Sequence, residues 1–160
     1  MKAPFAILLA LAVLSGSPSP AKSVKPSPLV GAWAVDVSRL PMPPEARPKS
    51  VTITFGYASA DKWSTQVEIV DAKGGKTHAE GVVPLDGTPT PVEGNLEADL
   101  SAVKMPTPDV LVMQLAKGGV PASTRIYAVS GSGKTMVETV AYFGQDGKPV
   151  MRTNYFTRIR

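Results

Sequence analysis

The sequence predicts an all-β fold: an antiparallel up-and-down meander of eight to ten strands that closes into a barrel, with an open β-sandwich as the alternative. Three observations predict it. Sixteen prolines and fourteen glycines among 160 residues break every helical window, since proline removes a backbone donor and glycine weakens a helix interior. Apolar residues recur with a period of two, the spacing that puts one face of a strand on a core and the other in water. Short turn-forming segments separate these runs, as expected of sequential hairpins.

Taken in order, Met1 and Lys2 begin the chain and residues 5–14 (FAILLALAVL) form an uninterrupted apolar run. That run is shorter than the roughly 20 residues a bilayer span needs and fits the hydrophobic region of a secretory signal. Small residues follow, with cleavage expected after Gly16 or Ala21. The reading is a signal peptide over 1–21, a Pro/Ser/Lys-rich tether over 22–28 and a single domain over 29–160. It makes the protein periplasmic or secreted, with no membrane span left after signal cleavage.

The first strand, 31–37 (GAWAVDV), alternates Trp33, Val35 and Val37 against Ala34 and Asp36. A proline-rich connection over 41–48 (PMPPEARP) is expected to be non-helical. Val51, Ile53 and Phe55 then alternate with threonines, and Trp63, Thr65, Val67 and Ile69 with Ser64, Gln66 and Glu68. The turn 71–76 (DAKGGK) supplies the glycines a tight hairpin needs and leads into a strand over 77–83. The loop 84–95 has room for one short edge strand. Further strands are expected over 96–103, 110–116, 123–129, 135–143 and 150–159, the last three joined by SGSGK and GQDGK turns.

Composition bounds function. Hydrophobic residues make up 43% of the chain and charged residues 19%, which places it in the globular range. The absence of cysteine excludes thiol catalysis, disulfides and a lipidated-cysteine anchor, so stability must come from packing. The net charge of +4 comes from scattered basic residues with no run of three, and no nucleic-acid partner is expected.

Gly31-Ala32-Trp33 opens the first strand, and Arg158 closes the last. This Gly-x-Trp strand, with the proline-rich segment and the Asp-x-x-Gly-Lys turns, resembles small exported bacterial lipocalin-like (calycin-type) β-barrel proteins of unassigned function, over about residues 29–159. The resemblance implies a barrel in which Trp33 packs at the closed end beside Arg158, and it gives Gly31, Trp33 and Arg158 structural roles. The Thr-Asp-Tyr turn motif of many lipocalins is absent.

Residues 128–135 (AVSGSGKT) match a loose phosphate-loop pattern, but a β-rich segment follows where a helix N-terminus is required, so a hairpin turn is the reading. His78 is the only histidine; Glu80, two residues on, shares its face. No metal, cofactor or catalytic residue is assigned. Aromatic side chains inside a barrel either fill the core or line a cavity. The candidate ligand-binding residues are Trp33, Phe55, Trp63 and Tyr127, with Arg125 or Arg152 offering a charge to a ligand carboxylate.

The expected function is that of an exported, non-enzymatic lipocalin-like protein binding a small hydrophobic or amphipathic ligand. One alternative is a filled barrel that engages an envelope protein or serves the envelope structurally. The other is a hydrolase or isomerase using His78 and Glu80.

Overall fold

The computed structural model describes residues 26–94 and 97–159. Ten strands follow one another: β1 (Gly31–Val35), β2 (Ser50–Ser59), β3 (Lys62–Val70), β4 (Lys76–Pro84), β5 (Thr90–Pro91), β6 (Leu100–Thr107), β7 (Val110–Lys117), β8 (Val120–Val129), β9 (Thr135–Phe143) and β10 (Pro149–Arg158). All pairings are antiparallel. They form one sheet in the order β4-β3-β2-β1-β10-β9-β8-β7-β6-β5. Its two ends meet where the amide of Glu80 donates to the carbonyl of Glu93 (3.2 Å) and that of Glu93 donates back (3.1 Å). The protein is therefore a nearly closed ten-stranded antiparallel barrel, and the open sandwich is ruled out.

The period-two pattern assigns the two faces. Trp33, Ile53, Phe55, Trp63, Val83, Val103, Leu111, Met113, Leu115, Tyr127, Met136 and Phe156 point inward and are buried, while the residues between them face outward. Several features differ from the sequence expectation. The first strand ends at Val35, because the Asp36 side chain accepts the amide of Ser38 (3.1 Å) and starts a 3-10 turn over Val37–Arg39. A second 3-10 turn, Pro44–Ala46, lies in the segment expected to be non-helical; proline's fixed φ suits a first helical turn, so a single short turn forms. The strand expected to start at Leu96 starts at Leu100. Packing also begins before Leu29: Ser27, assigned to the tether, is buried, and its hydroxyl donates to the carbonyl of Pro108. The expected signal peptide over 1–21 and the expected tether up to residue 25 lie outside the described residues.

One end of the barrel is solid. Leu29 and Trp33 are fully buried there, and the Trp33 indole N–H donates to the carbonyl of Leu29 (2.8 Å). The guanidinium carbon of Arg158 lies 4.1 Å from the Trp33 ring centroid. Its nitrogens donate to the carbonyls of Val30 (2.7 Å), Gly133 (2.7 Å) and Pro28. Gly31 has φ of 128°, a conformation open to glycine, which lets the chain turn from the Leu29 plug into β1. Phe55 packs on Trp63 and Tyr127, with ring centroids 5.7 and 5.1 Å apart, and Tyr127 packs on Phe156 at 6.3 Å.

Candidate ligand-binding site

Beyond this aromatic layer the barrel is not filled. A cavity of about 270 Å³ remains, near the lower end of the size range of small-molecule pockets. Its walls are the next inward positions of the same strands: Val51, Ile53, Val67, Ile69, Met113 and Leu115. Small residues leave the space, with Thr65, Thr77 and Ala79 standing where larger side chains would close it. Tyr127 and Phe156 form the floor, and Leu40, from the connection between β1 and β2, reaches the opposite side. That connection is held down by the Asp36 amide donating to the carbonyl of Tyr155 (2.8 Å) and by Arg39 lying over the Tyr155 ring, 3.3 Å from its centroid.

One wall is polar. The register sets Glu138 directly opposite Tyr127 on one side and Asn154 on the other, with Arg125 one inward position along from Tyr127. Directly opposed side chains lie close enough to interact, so these groups must meet. Arg125 Nη1 donates to Glu138 Oε1 (2.6 Å), Arg125 Nη2 donates to Glu97 Oε2, and Asn154 Nδ2 donates to Glu138 Oε2 (2.6 Å). Glu138 is 1% exposed, so its charge is sustained by these donors rather than by water. Burial alone would lower the Arg125 pKa, but the acidic neighbours Tyr127, Glu138 and Glu97 outweigh it and hold the guanidinium above its ordinary value. Burial, and then the charge of Glu138, push the Tyr127 phenol well above its usual range against the opposing pull of Arg125. Thr65 Oγ1, Arg125 Nε and Asn154 Oδ1 are buried without a hydrogen-bond partner among the described residues. The Asn154 amide donates to Glu138, so its oxygen is the atom left unused.

Of the residues the sequence put forward, Tyr127 and Arg125 line the cavity. Trp33, Phe55 and Trp63 are packed outside its lining, because they sit one layer deeper towards the closed end. Arg152 is also outside the lining; its guanidinium carbon lies 5.4 Å from the Tyr142 ring centroid, and it forms no ion pair among the described residues. Arg125, put forward for a ligand carboxylate, is engaged by two protein carboxylates through Nη1 and Nη2. Glu138, Asn154 and Glu97 went unnoticed in the sequence. The first carried a signal: Glu138 interrupts the apolar phase Met136, Val140, Tyr142, which places a carboxylate inside the barrel.

His78 and Glu80 lie on the outer face of β4, 3.6 Å apart and more than half exposed, away from the cavity polar cluster. The phosphate-loop-like stretch 128–135 is the β8–β9 hairpin, with Gly133 at φ of 69°, and no helix follows it. Among the described residues no group of three or more His, Cys, Asp and Glu is gathered to hold a metal, and no helix is long and apolar enough to cross a membrane.

No known protein-family model matches the chain, and no curated protein matches its sequence. Solved structures do match its fold. Wild-type fluorescent protein UnaG superposes with a TM-score of 0.52 at 16% identity, covering 81% of this chain and 96% of UnaG. An asparagine-to-alanine variant of UnaG gives 0.53 at 16% identity, covering 83% and 97%. At this identity the similarity establishes the barrel and leaves the contents of its interior to be argued from this chain.

Proposed function

We propose that the protein is an exported barrel that binds a small, largely apolar molecule inside its open half. The observation that carries this reading is the cavity of about 270 Å³, apolar on most sides and polar on one. Ligand pockets are built this way, with hydrophobic walls for affinity and a few placed polar groups for orientation. A chain using its interior only for stability would gain by filling it, because unfilled apolar space forfeits dispersion contacts. Export rests on the apolar run over 5–14 and the small residues after it.

Native mass spectrometry of the protein purified from its own source tests both parts. The expected result is a mature N-terminus beginning after Gly16 or Ala21 and a retained small molecule that is lost in an Ala79→Phe variant. A bare protein at every stage of purification, or a retained mass unaffected by Ala79→Phe, would contradict interior binding. A second reading, in which the outer face engages an envelope partner, is favoured by Phe143 and Met151, 74% and 71% exposed beside the β9–β10 turn. Under that reading Phe143→Ser abolishes association and Ala79→Phe leaves it intact.

A further inference from the structure

The outer surface of the barrel divides into a charged part and a neutral part. On β3 and β4 the outward positions include Glu68, His78 and Glu80, with Glu68 directly opposite His78. The outward rows of β7–β10, such as Val112-Ile126-Thr139-Thr153, hold no Asp, Glu, Lys or Arg, and Arg39 over the Tyr155 ring marks one edge of this face. At one end of it β8 and β9 part. Their pairing stops at Thr124 and Ala141, although β8 begins at Val120 and β9 runs on to Phe143. A groove of about 540 Å³ lies there between the β7–β8 and β9–β10 hairpins, lined by residues that include Pro121, Thr124, Ala141, Phe143 and Met151. Phe143 and Met151 are 74% and 71% exposed, so a protruding phenyl and a recess sit side by side on one charge-free face.

That juxtaposition is what contact between identical molecules needs. In a two-fold contact one patch serves both molecules, so a projection must lie beside the recess that receives its copy. Charge acts in the same direction. Each chain carries a net charge of +4, so two copies meet at least cost through faces that bear none, and a strongly charged partner finds nothing there to pair with. The extent is sufficient as well: four strands of eight to ten residues, about 4.8 Å apart and rising about 3.3 Å per residue, cover roughly 19 by 30 Å, the order of the ~800 Å² per molecule of a standard interface. We infer that the β7–β10 face is the interface of a two-fold dimer, in which Phe143 of each copy enters the groove between the hairpins of the other. The groove and the cavity share no lining residue, so this inference goes beyond interior binding and neither depends on the other.

Sedimentation velocity over a concentration series of the full mature protein tests it. The expected result is a monomer–dimer equilibrium with a Kd in the micromolar range. Phe143→Asp and Met151→Lys, both at exposed positions, should each weaken association at least about tenfold with an unchanged circular dichroism spectrum, because each carries an unpaired charge into the contact. Their equimolar mixture should associate more tightly than either variant alone, as the opposite charges then face each other across the two-fold contact. Ala79→Phe should leave the equilibrium as it is. A chain that stays monomeric up to millimolar concentration, a dimer that both variants leave intact, or a mixture that associates no better than its components would overturn the inference. So would a monomer that binds anionic lipid vesicles or an envelope protein through Phe143, since the face would then belong to that partner. Interior binding stands in every one of these cases, because its own readout is the retained small molecule.

Discussion

The two ends of this barrel are built from the same strands and the same inward phase, yet they solve different problems. At the closed end, Leu29, Trp33, Phe55 and Trp63 fill the interior, and Arg158 ties the incoming chain, the β8–β9 turn and the Trp33 ring together. Among the described residues, backbone carbonyls accept its donors. At the other end the inward positions are Thr65, Thr77 and Ala79, so space is left, and the guanidinium of Arg125 is balanced by acids instead. The difference teaches that stability is concentrated at one end, which frees the other to carry buried charge and a void. Each of these costs stability in a small domain without disulfides.

That division can be broken from either side. The largest effect is expected from Trp33→Ala, which removes a fully buried indole, its hydrogen bond to Leu29 and the surface under Arg158. Loss of a buried aromatic of this size costs about 3–5 kcal/mol, read as a shift in the urea midpoint. Next is the charge cluster. Glu138→Ala leaves Arg125 with Glu97 alone and the Asn154 amide without its acceptor, and should cost about 2–4 kcal/mol, since breaking a buried pair strands a charge. The double substitution Arg125→Leu with Glu138→Met removes both charges and should cost less than Glu138→Ala alone, a reversal that simple counting of lost bonds does not give.

The comparison sharpens with one type of substitution made at both ends. Val103→Phe in the packed layer should cost about 1–3 kcal/mol by overpacking. Ala79→Phe places the same ring in the cavity and should cost less than about 1 kcal/mol, as a group entering a void gains contacts instead of displacing them. Equal penalties would show that the open half is as tightly packed as the closed one. A smaller effect concerns pH. The folded pKa of Tyr127 is raised above the unfolded value of 10, so burying the neutral phenol contributes stability that is complete below pH 10 and is lost as the pH climbs towards the folded value. Tyr127→Phe should therefore flatten the alkaline fall in melting temperature above pH 10. The smallest effect is expected at His78→Ala: its partner Glu80 is as exposed as it is, and the change should stay within about 0.5 kcal/mol.

The strands were legible because a half-buried strand must alternate, and the runs at Val51-Ile53-Phe55 and Trp63-Thr65-Val67-Ile69 do so without interruption. Closure was not legible. It rests on the pair Glu80 and Glu93, two exposed acids with no pattern to mark them, and on Gly94, whose φ of 65° and 2.3 Å approach of a would-be Cβ to the His78 carbonyl only the folded seam shows. The site was half legible for a related reason. Alternation tells which face a residue takes but not how deep it sits along the barrel axis, so Trp33 and Tyr127 look equivalent in sequence although one plugs the end and the other floors the cavity. Glu138 was the available clue, a charge in an otherwise apolar phase. Asn154, 16 residues from Glu138, and Glu97, 28 residues from the Arg125 that it shares with Glu138, are fixed only by register and the loop before β6.

The central claim is that the open half of the barrel, not its outer surface, receives the ligand. Methyl-resolved nuclear magnetic resonance during titration with 1-naphthalenemethanol, a small and largely apolar probe, tests it most directly, because the reporters are already distributed over both ends and both faces. Saturable shifts are predicted at Met113 and Leu115 on the cavity wall, with Leu111 and Val103 in the packed layer unmoved. Shifts confined to Ile126 and Val137 on the outer face, or no saturable shift at any of these methyl groups, would contradict it.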